Sequence, residues 1–168
     1  MSDEEQQLVI LKLGAEEFGI PVQYVTSIIG MQPITRIPRA PTFLEGVINL
    51  RGQITAIVDL RKRFRMDIKT HDKATRIVVM TVEDIVVGLI VDAVYEVLRI
   101  QKKDIGAAPR VLQNESESKY VTGVGKVGDR LIIIMDVREL LTKREIETLE
   151  KIEVKETKPR EAAPQGGK

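Results

Sequence analysis

The chain has 168 residues, of which 43% are apolar, and its 26 basic and 25 acidic residues leave a net charge of +1. This composition predicts a soluble globular fold with a sizeable core, and the lack of cysteine excludes disulfide bonds and thiolate metal sites. The longest clean apolar run, Ile85–Val91, is far shorter than the roughly 20 residues that span a bilayer. The acidic start of the chain does not resemble a signal peptide, so we expect a cytoplasmic location and no membrane insertion.

The first part of the chain predicts two strands and a short helix. Apolar stretches at Leu8–Leu13 and Phe18–Val22 flank a turn rich in small and charged residues, which indicates a strand pair. Residues 1–6 and 155–168 lack the apolar content for a core and are predicted to be flexible tails. The apolar residues after the second strand recur at helical spacing and predict a short helix that ends near Gly30; they are Val22, Val25, Ile28 and Ile29.

The segment Gly46–Phe64 holds a strand pair, a tight turn and a helix start in one unit. Its two apolar strands lie on either side of Arg51-Gly52, a spacing that predicts a hairpin with a two-residue turn and Arg51 at its tip. Asp59 precedes a short basic segment and is expected to cap a helix there. Residues 33–65 contain seven basic and two acidic residues, which indicates either a surface for an acidic partner or ordinary solvated charge.

The second half of the chain repeats the first. An offset of 69 places the first strands on Ile77–Val82 and Val87–Leu89, and matches Val25 with Val94. An offset of 77 places Gly46–Phe64 on Gly123–Leu141, so the change of offset falls in the connecting loop between the matched blocks. Two similar small β units are therefore predicted.

Each repeat offers about five short strands and little helix, which favours small closed antiparallel barrels. We expect an all-β fold of two barrels formed by residues 7–66 and 76–141, with the first strand as a candidate for exchange between them. A narrow apolar stripe of Ile146, Leu149 and Ile152 predicts a C-terminal helix at 142–154.

The sequence offers little catalytic chemistry. The glycines of 120–129 lack the Lys-Ser/Thr pair of a phosphate loop, and the only histidine, His71, lies in a polar linker. Asp59 and Asp136 occupy equivalent positions; helix capping explains both, while a hydrolase with paired carboxylates stays an alternative that convergence in one cleft would favour. Few aromatic residues and a near-neutral charge argue against nucleic-acid binding, although a nucleic-acid-binding double barrel remains a third reading. We expect no cofactor, no metal and no enzymatic activity.

The segment Gly-Val-Ile-Asn-Leu-Arg-Gly at 46–52, followed by Ile-Val-Asp-Leu at 57–60, resembles the chemotaxis coupling proteins of the CheW-like family. The similarity covers about Leu8–Leu141. It implies two five-stranded SH3-like barrels on a common hydrophobic seam. It also implies a non-enzymatic adaptor that couples the cytoplasmic tips of chemoreceptors to the regulatory domain of a histidine kinase, at receptor arrays on the inner face of the membrane. Ser27 stands where many relatives carry an acidic residue, which removes one ion pair to Arg51.

Two candidate surfaces follow from the hairpin tip and the resemblance. The first would meet the kinase or the receptor and contains Gly46, Asn49 and Arg51. The second is a groove between the barrels that would hold the receptor's helical tip, although these residues could instead be core. The groove residues are Val22, Val25, Ile28, Val94 and Leu98.

Overall fold

The computed structural model describes residues 4–40, 42–82, 84–107 and 120–140. Within these residues most of the regular secondary structure is β-strand. They are β1 Glu5–Leu13, β2 Glu16–Pro21, β3 Val25–Gly30, β4 Leu44–Leu50, β5 Gln53–Asp59, β6 Arg76–Val82, β7 Ile85–Val91, β8 Ala93–Gln101, β9 Ile105–Gly106, β10 Val121–Val127 and β11 Arg130–Met135. The short helices are α1, Leu60–Arg63, and 3₁₀ turns at Val22–Tyr24, Lys102–Asp104 and Val137–Glu139.

The ends of the chain differ from the prediction or lie outside the described residues. Glu5 and Gln6, which were expected in a flexible tail, belong to β1 and are paired with Gln101 and Ile100 of β8. The predicted C-terminal helix at 142–154 and the tail at 155–168 fall outside the described part.

The described strands form two sheets, and each closes into a small SH3-like barrel. Barrel 1 has the strand order β3-β6-β7-β5-β4, and barrel 2 has the order β8-β1-β2-β11-β10-β9. The pairs β5–β7 and β2–β11 are parallel, whereas the other pairs are antiparallel. The all-β fold with two barrels is therefore confirmed.

The barrels do not coincide with the sequence repeats. Barrel 1 takes β3, β4 and β5 from the first repeat but β6 and β7 from the second, and barrel 2 takes β1 and β2 from the first repeat. The exchanged element is thus a two-stranded hairpin rather than the first strand alone, and the predicted boundaries 7–66 and 76–141 delimit repeats instead of barrels. Because the same exchange occurs in both directions, the five strands of barrel 1 have equivalents in barrel 2, which also contains the two-residue strand β9.

The core consists of a shared seam and two barrel interiors. The largest cluster of buried residues draws on strands of both barrels, including Leu11 and Ile20 from barrel 2 and Val58, Met80 and Leu89 from barrel 1. The interiors hold their own clusters: Leu8, Ile10, Ile100, Ile132 and Ile134 in barrel 2, and Ile48, Ile57, Ile77, Val79 and Ile90 in barrel 1. Burial of the shared cluster is therefore what joins the barrels.

The helix predicted from Val22 to Ile29 is wrong. Only Val22–Tyr24 turn, in a 3₁₀ conformation, and Val25–Gly30 form β3, which pairs with β6. The register shifts between Val25 and Ser27, where a β-bulge inserts one extra residue. A bulge reverses the alternation of faces, so Val25 and Ile28 lie on the same face of the strand although they are three residues apart. Because of the bulge, the two apolar residues Val25 and Ile28 have the spacing of a helix although they lie in a strand.

Candidate functional site

The hairpin between β4 and β5 presents Arg51 at a rigid tip. Leu50 pairs with Gln53, so Arg51 and Gly52 form a two-residue turn as predicted, with φ of 55° and 85°. Positive φ at both positions is typical of a type I′ turn, whose twist matches that of the flanking strands. The Oδ1 atom of Asn49 accepts a hydrogen bond from the Gly52 amide at 2.8 Å. Asn49 and Arg51 are both exposed, so the structure brings these two predicted interface residues together.

Gly46 is buried and lies away from the tip. Its φ of 152° accompanies a register shift next to Leu44, and a Cβ atom there would lie 2.3 Å from the carbonyl oxygen of Thr35. Its equivalent, Gly123, is similarly crowded by the carbonyl oxygen of Gly106 at 2.6 Å. Gly46 therefore shapes the bulge beneath the hairpin, and its contact with a partner stays a prediction.

The strands β3 and β8 present equivalent apolar side chains beside the seam. By pairing, Val25 lies on the face of Met80 and Val94 lies on the face of Leu11, and both valines pack against the shared cluster. Ile28 is paired with Val78 and has 41% of its surface exposed. Val25, Ile28 and Val94 thus lie on the outer faces of the two barrels.

Leu98 does not belong to this outer face. It is paired with Leu8 and packs against the interior cluster of barrel 2, because β8 carries its own bulge between Val94 and Glu96. Its neighbour Val97, which the sequence reasoning missed, is 52% exposed and paired with Val9. Adding the repeat offset of 69 to Ile28 gives Val97, so the duplication held the information that identifies this residue.

Val22 lies apart from the other four candidates. It is in the 3₁₀ turn before β3 and lines a mostly polar cavity of about 570 Å³ together with Arg99 and Lys102. The predicted apolar stripe of Val22, Val25 and Ile28 on one helix is therefore replaced by a strand face that holds only the last two.

The two equivalent aspartates cap separate helices. The Oδ1 atom of Asp59 accepts a hydrogen bond from the Arg61 amide at 2.9 Å, and that of Asp136 accepts one from the Arg138 amide at 3.1 Å. Burial raises the pKa of Asp59 above its usual value, against the effect of the Arg61 hydrogen bond. The carboxylates line different cavities, so the convergence that a hydrolase would need does not occur. Among the described residues, no group of three or more His, Cys, Asp or Glu could hold a metal ion.

The basic segment after Asp59 is largely engaged in internal contacts. Arg61 forms a bidentate ion pair with Asp92, with Nε–Oδ1 at 2.8 Å and Nη2–Oδ2 at 2.7 Å. Lys62 forms an ion pair with Glu45, and the guanidinium of Arg63 lies over the rings of Phe43 and Tyr120. The local excess of cations therefore reflects structural contacts in good part rather than a free basic surface.

We call the first of these contacts the Arg61–Asp92 clasp. Asp92 lies where the chain passes from β7 of barrel 1 to β8 of barrel 2, and its Oδ2 atom also accepts a hydrogen bond from the Gly14 amide at 2.8 Å. The Asp92 amide donates to the carbonyl oxygen of Lys12 at 3.0 Å. The hydrogen bond from Arg61 holds the pKa of Asp92 below its usual value, aided by the Gly14 amide and opposed by burial. The clasp thus ties the end of barrel 1 to the first hairpin of barrel 2.

Comparison with known proteins agrees with this architecture. The family model described as CheW-like domain matches residues 7–145. The chain is 36% identical over 147 residues to the chemotaxis protein CheW of Klebsiella aerogenes, with 88% of each chain covered, and 32% identical to that of Treponema pallidum, with 89% of each covered.

A solved structure shows the same likeness. The crystal structure of the scaffolding protein TtCheW from Thermoanaerobacter tengcongensis superimposes with a TM-score of 0.75 at 35% sequence identity, covering 81% of this chain and 92% of that one. Both the sequence and the arrangement of the two barrels thus lead to one conclusion. The chain belongs to the family of CheW-like chemotaxis proteins.

Proposed function

We propose that this chain is a non-enzymatic scaffold that couples the cytoplasmic tips of chemoreceptors to the regulatory domain of a chemotaxis histidine kinase. Membership of the CheW-like family and the scaffolding role named for its structural relative support the general role. The carboxylates Asp59 and Asp136 are used as separate helix caps, which agrees with a binding role rather than a hydrolytic one.

The observation that carries the proposal is the pair of equivalent apolar walls beside the seam. Ile28 and Val97 occupy matching positions on β3 and β8, and large parts of both side chains face solvent. Val25 and Val94 continue the same faces down to the shared cluster. An amphipathic helix binds such a surface through a few apolar anchors, and a receptor's helical tip has this character. We propose Val25, Ile28, Val94 and Val97 as the receptor-binding residues.

The tip of the β4–β5 hairpin is proposed as the second surface. Arg51 is exposed on a turn held by the Asn49 side chain, so its guanidinium can meet a carboxylate or a carbonyl group of a partner with little loss of backbone freedom. The kinase regulatory domain or the receptor would bind here. In the part of the chain that the structure describes, no helix has the length and apolar character needed to cross a membrane. We propose that the protein works in the cytoplasm and reaches receptor arrays through its partners.

The test measures binding of a receptor cytoplasmic fragment and of the kinase regulatory domain separately. With the receptor fragment, amide NMR shifts should cluster on β3 and β8, and Val94→Ala should weaken receptor binding more than kinase binding, by about 1–2 kcal/mol. Arg36→Gln changes an exposed residue that belongs to neither β3 nor β8; it is the control and should bind as the unchanged chain does. Shifts confined to the region around Arg51 would show that the walls are not the receptor site.

A further inference from the structure

Because of the internal duplication, two corners of the molecule are lined by equivalent residues. The first corner surrounds the Arg61–Asp92 clasp and leaves a cavity of only about 10 Å³. The repeat offsets of 77 and 69 carry five of its lining residues onto residues that line a cavity of about 390 Å³ at the other corner. The equivalent pairs are Asp59 and Asp136, Arg61 and Arg138, Thr75 and Gln6, Ile90 and Pro21, and Asp92 and Gln23.

Among these five equivalent pairs, only Asp92 and Gln23 differ in charge. At the first corner, the guanidinium of Arg61 donates hydrogen bonds to both carboxylate oxygens of Asp92. At the second, the equivalent arginine, Arg138, shares the cavity with Gln23, whose amide is uncharged. Arg138 is exposed, and within the described residues its guanidinium forms no ion pair, while its backbone amide is held by Asp136. The second corner therefore has the arginine of the clasp without its carboxylate.

The surroundings of Arg138 favour an anion. A cavity of about 570 Å³ shares Gln6, Gln23 and Lys102 with the cavity of about 390 Å³, and its lining also includes Arg99 and Glu5. Among the described residues, the two cavities together are lined by three cations, Arg99, Lys102 and Arg138, and by two carboxylates, Glu5 and Asp136. One oxygen of Asp136 already accepts the Arg138 amide. A concave surface with an excess of positive charge raises the local concentration of anions.

We propose that this corner, formed by Gln6, Gln23, Lys102 and Arg138, binds a carboxylate side chain of an acidic peptide segment in a partner protein. The equivalent corner shows the occupant that this arrangement accepts, an aspartate carboxylate held by the arginine fork and carried on a peptide backbone. A volume of about 390 Å³ is sufficient for such a side chain and its backbone. The site shares no residue with the hairpin tip, and the proposal does not depend on the proposed receptor and kinase surfaces.

The first test uses the full chain and a blocked tetraglutamate peptide as the probe. Adding the peptide should shift the Nε–Hε NMR signal of Arg138 and the amides of Gln23 and Lys102 in a saturable way, and added salt should weaken the effect. A blocked tetraglutamine peptide should leave these signals unchanged. Arg138→Gln should lower the affinity roughly tenfold, as expected for a lost charge-assisted hydrogen bond. Arg36→Gln, which removes an exposed cation elsewhere, should not change the affinity.

A second variant tests the correspondence itself. Gln23→Asp places a carboxylate at the position equivalent to Asp92, so it should shift the Arg138 signal without any peptide and lower the affinity for tetraglutamate roughly tenfold. Gln23→Asn, which adds no charge, should bind as before. Absence of saturable binding, unchanged affinity in Arg138→Gln or Gln23→Asp, or equally tight binding of inorganic phosphate would each overturn the proposal.

Discussion

The Arg61–Asp92 clasp can be tested by replacing Asp92 with Asn, which keeps the shape of the side chain but removes its charge. Three hydrogen bonds reach the carboxylate, two from the Arg61 guanidinium and one from the Gly14 amide, at 2.7–2.8 Å. Asn has one acceptor oxygen, and its NH₂ group points a donor at a donor. At least one charge-assisted bond is therefore lost, and the guanidinium loses its counter-charge.

The expected loss of stability is about 2 kcal/mol. A hydrogen bond to a charged group contributes roughly 1.5–3 kcal/mol, and removing one partner of a fully buried pair costs about 3–5 kcal/mol. The side chains of Arg61 and Asp92 are each 14% exposed, so water can replace part of the lost contact and the lower range applies. For a chain of this length, about 2 kcal/mol corresponds to a decrease in Tm of about 4–8 °C.

The pH dependence distinguishes the ion pair from a general packing defect. Because the pKa of Asp92 is lowered in the folded state, its contribution is fully present above the ordinary aspartate pKa of 3.8 and is lost as the pH falls through the lower folded value. Urea unfolding followed by circular dichroism should show the full difference between the unchanged chain and Asp92→Asn at pH 7. That difference should shrink below about pH 4.

Asp59→Asn is the matched control because both carboxylates line the same small cavity. The pKa of Asp59 is raised, chiefly by burial, so its ionised form costs stability at neutral pH, and that cost disappears below the ordinary pKa of 3.8. Asn caps helices about as well as Asp, so this variant should be neutral or slightly stabilised at pH 7. A loss below about 0.5 kcal/mol in Asp92→Asn, or equal losses in the two variants, would refute the role of the clasp.

Three further predictions concern the bulge, the hairpin tip and the outer face. Gly46→Ala should lower the free energy of unfolding by more than about 2 kcal/mol, because its Cβ atom would overlap a carbonyl oxygen. Gly52→Ala, where no atom lies within 4 Å of the added Cβ, should lower it by about 1 kcal/mol. Equal losses in urea unfolding would contradict the close approach at Gly46. Arg51→Ala should weaken binding of the kinase domain or the receptor fragment with little change in Tm, and unaltered binding of both would remove it from the interface. Val97→Ala should weaken receptor binding by about 1–2 kcal/mol at nearly constant stability. Leu98→Ala should instead lower the free energy of unfolding by about 2 kcal/mol. The reverse pattern would show that the faces of β8 are assigned wrongly.

Local features with a strong chemical requirement were predicted from the sequence alone. The Arg51-Gly52 turn and the capping by Asp59 and Asp136 each depend on residues within a few positions of one another. The duplication also followed from the sequence, because it needs only two constant offsets. Motif similarity then indicated the family.

Which side chains of β3 and β8 lie on the same face could not be predicted in the same way. A bulge in each strand changes which side chains lie together, and a bulge is defined by pairing with a strand that is distant in sequence. Val25 and Ile28 therefore looked helical, and Leu98 was chosen where Val97 is exposed.

The amino-acid sequence alone predicts two equivalent β units, the positions of their hairpin turns and the residues that cap their short helices. How the units combine is visible only in the folded molecule: the hairpin of β1 and β2 completes the barrel of the second repeat, and that of β6 and β7 completes the barrel of the first. Repeats with nearly the same apolar pattern can pair with their own strands or with those of the other copy. The choice depends on the total burial at the shared seam and on contacts such as the Arg61–Asp92 clasp, which join residues 31 positions apart.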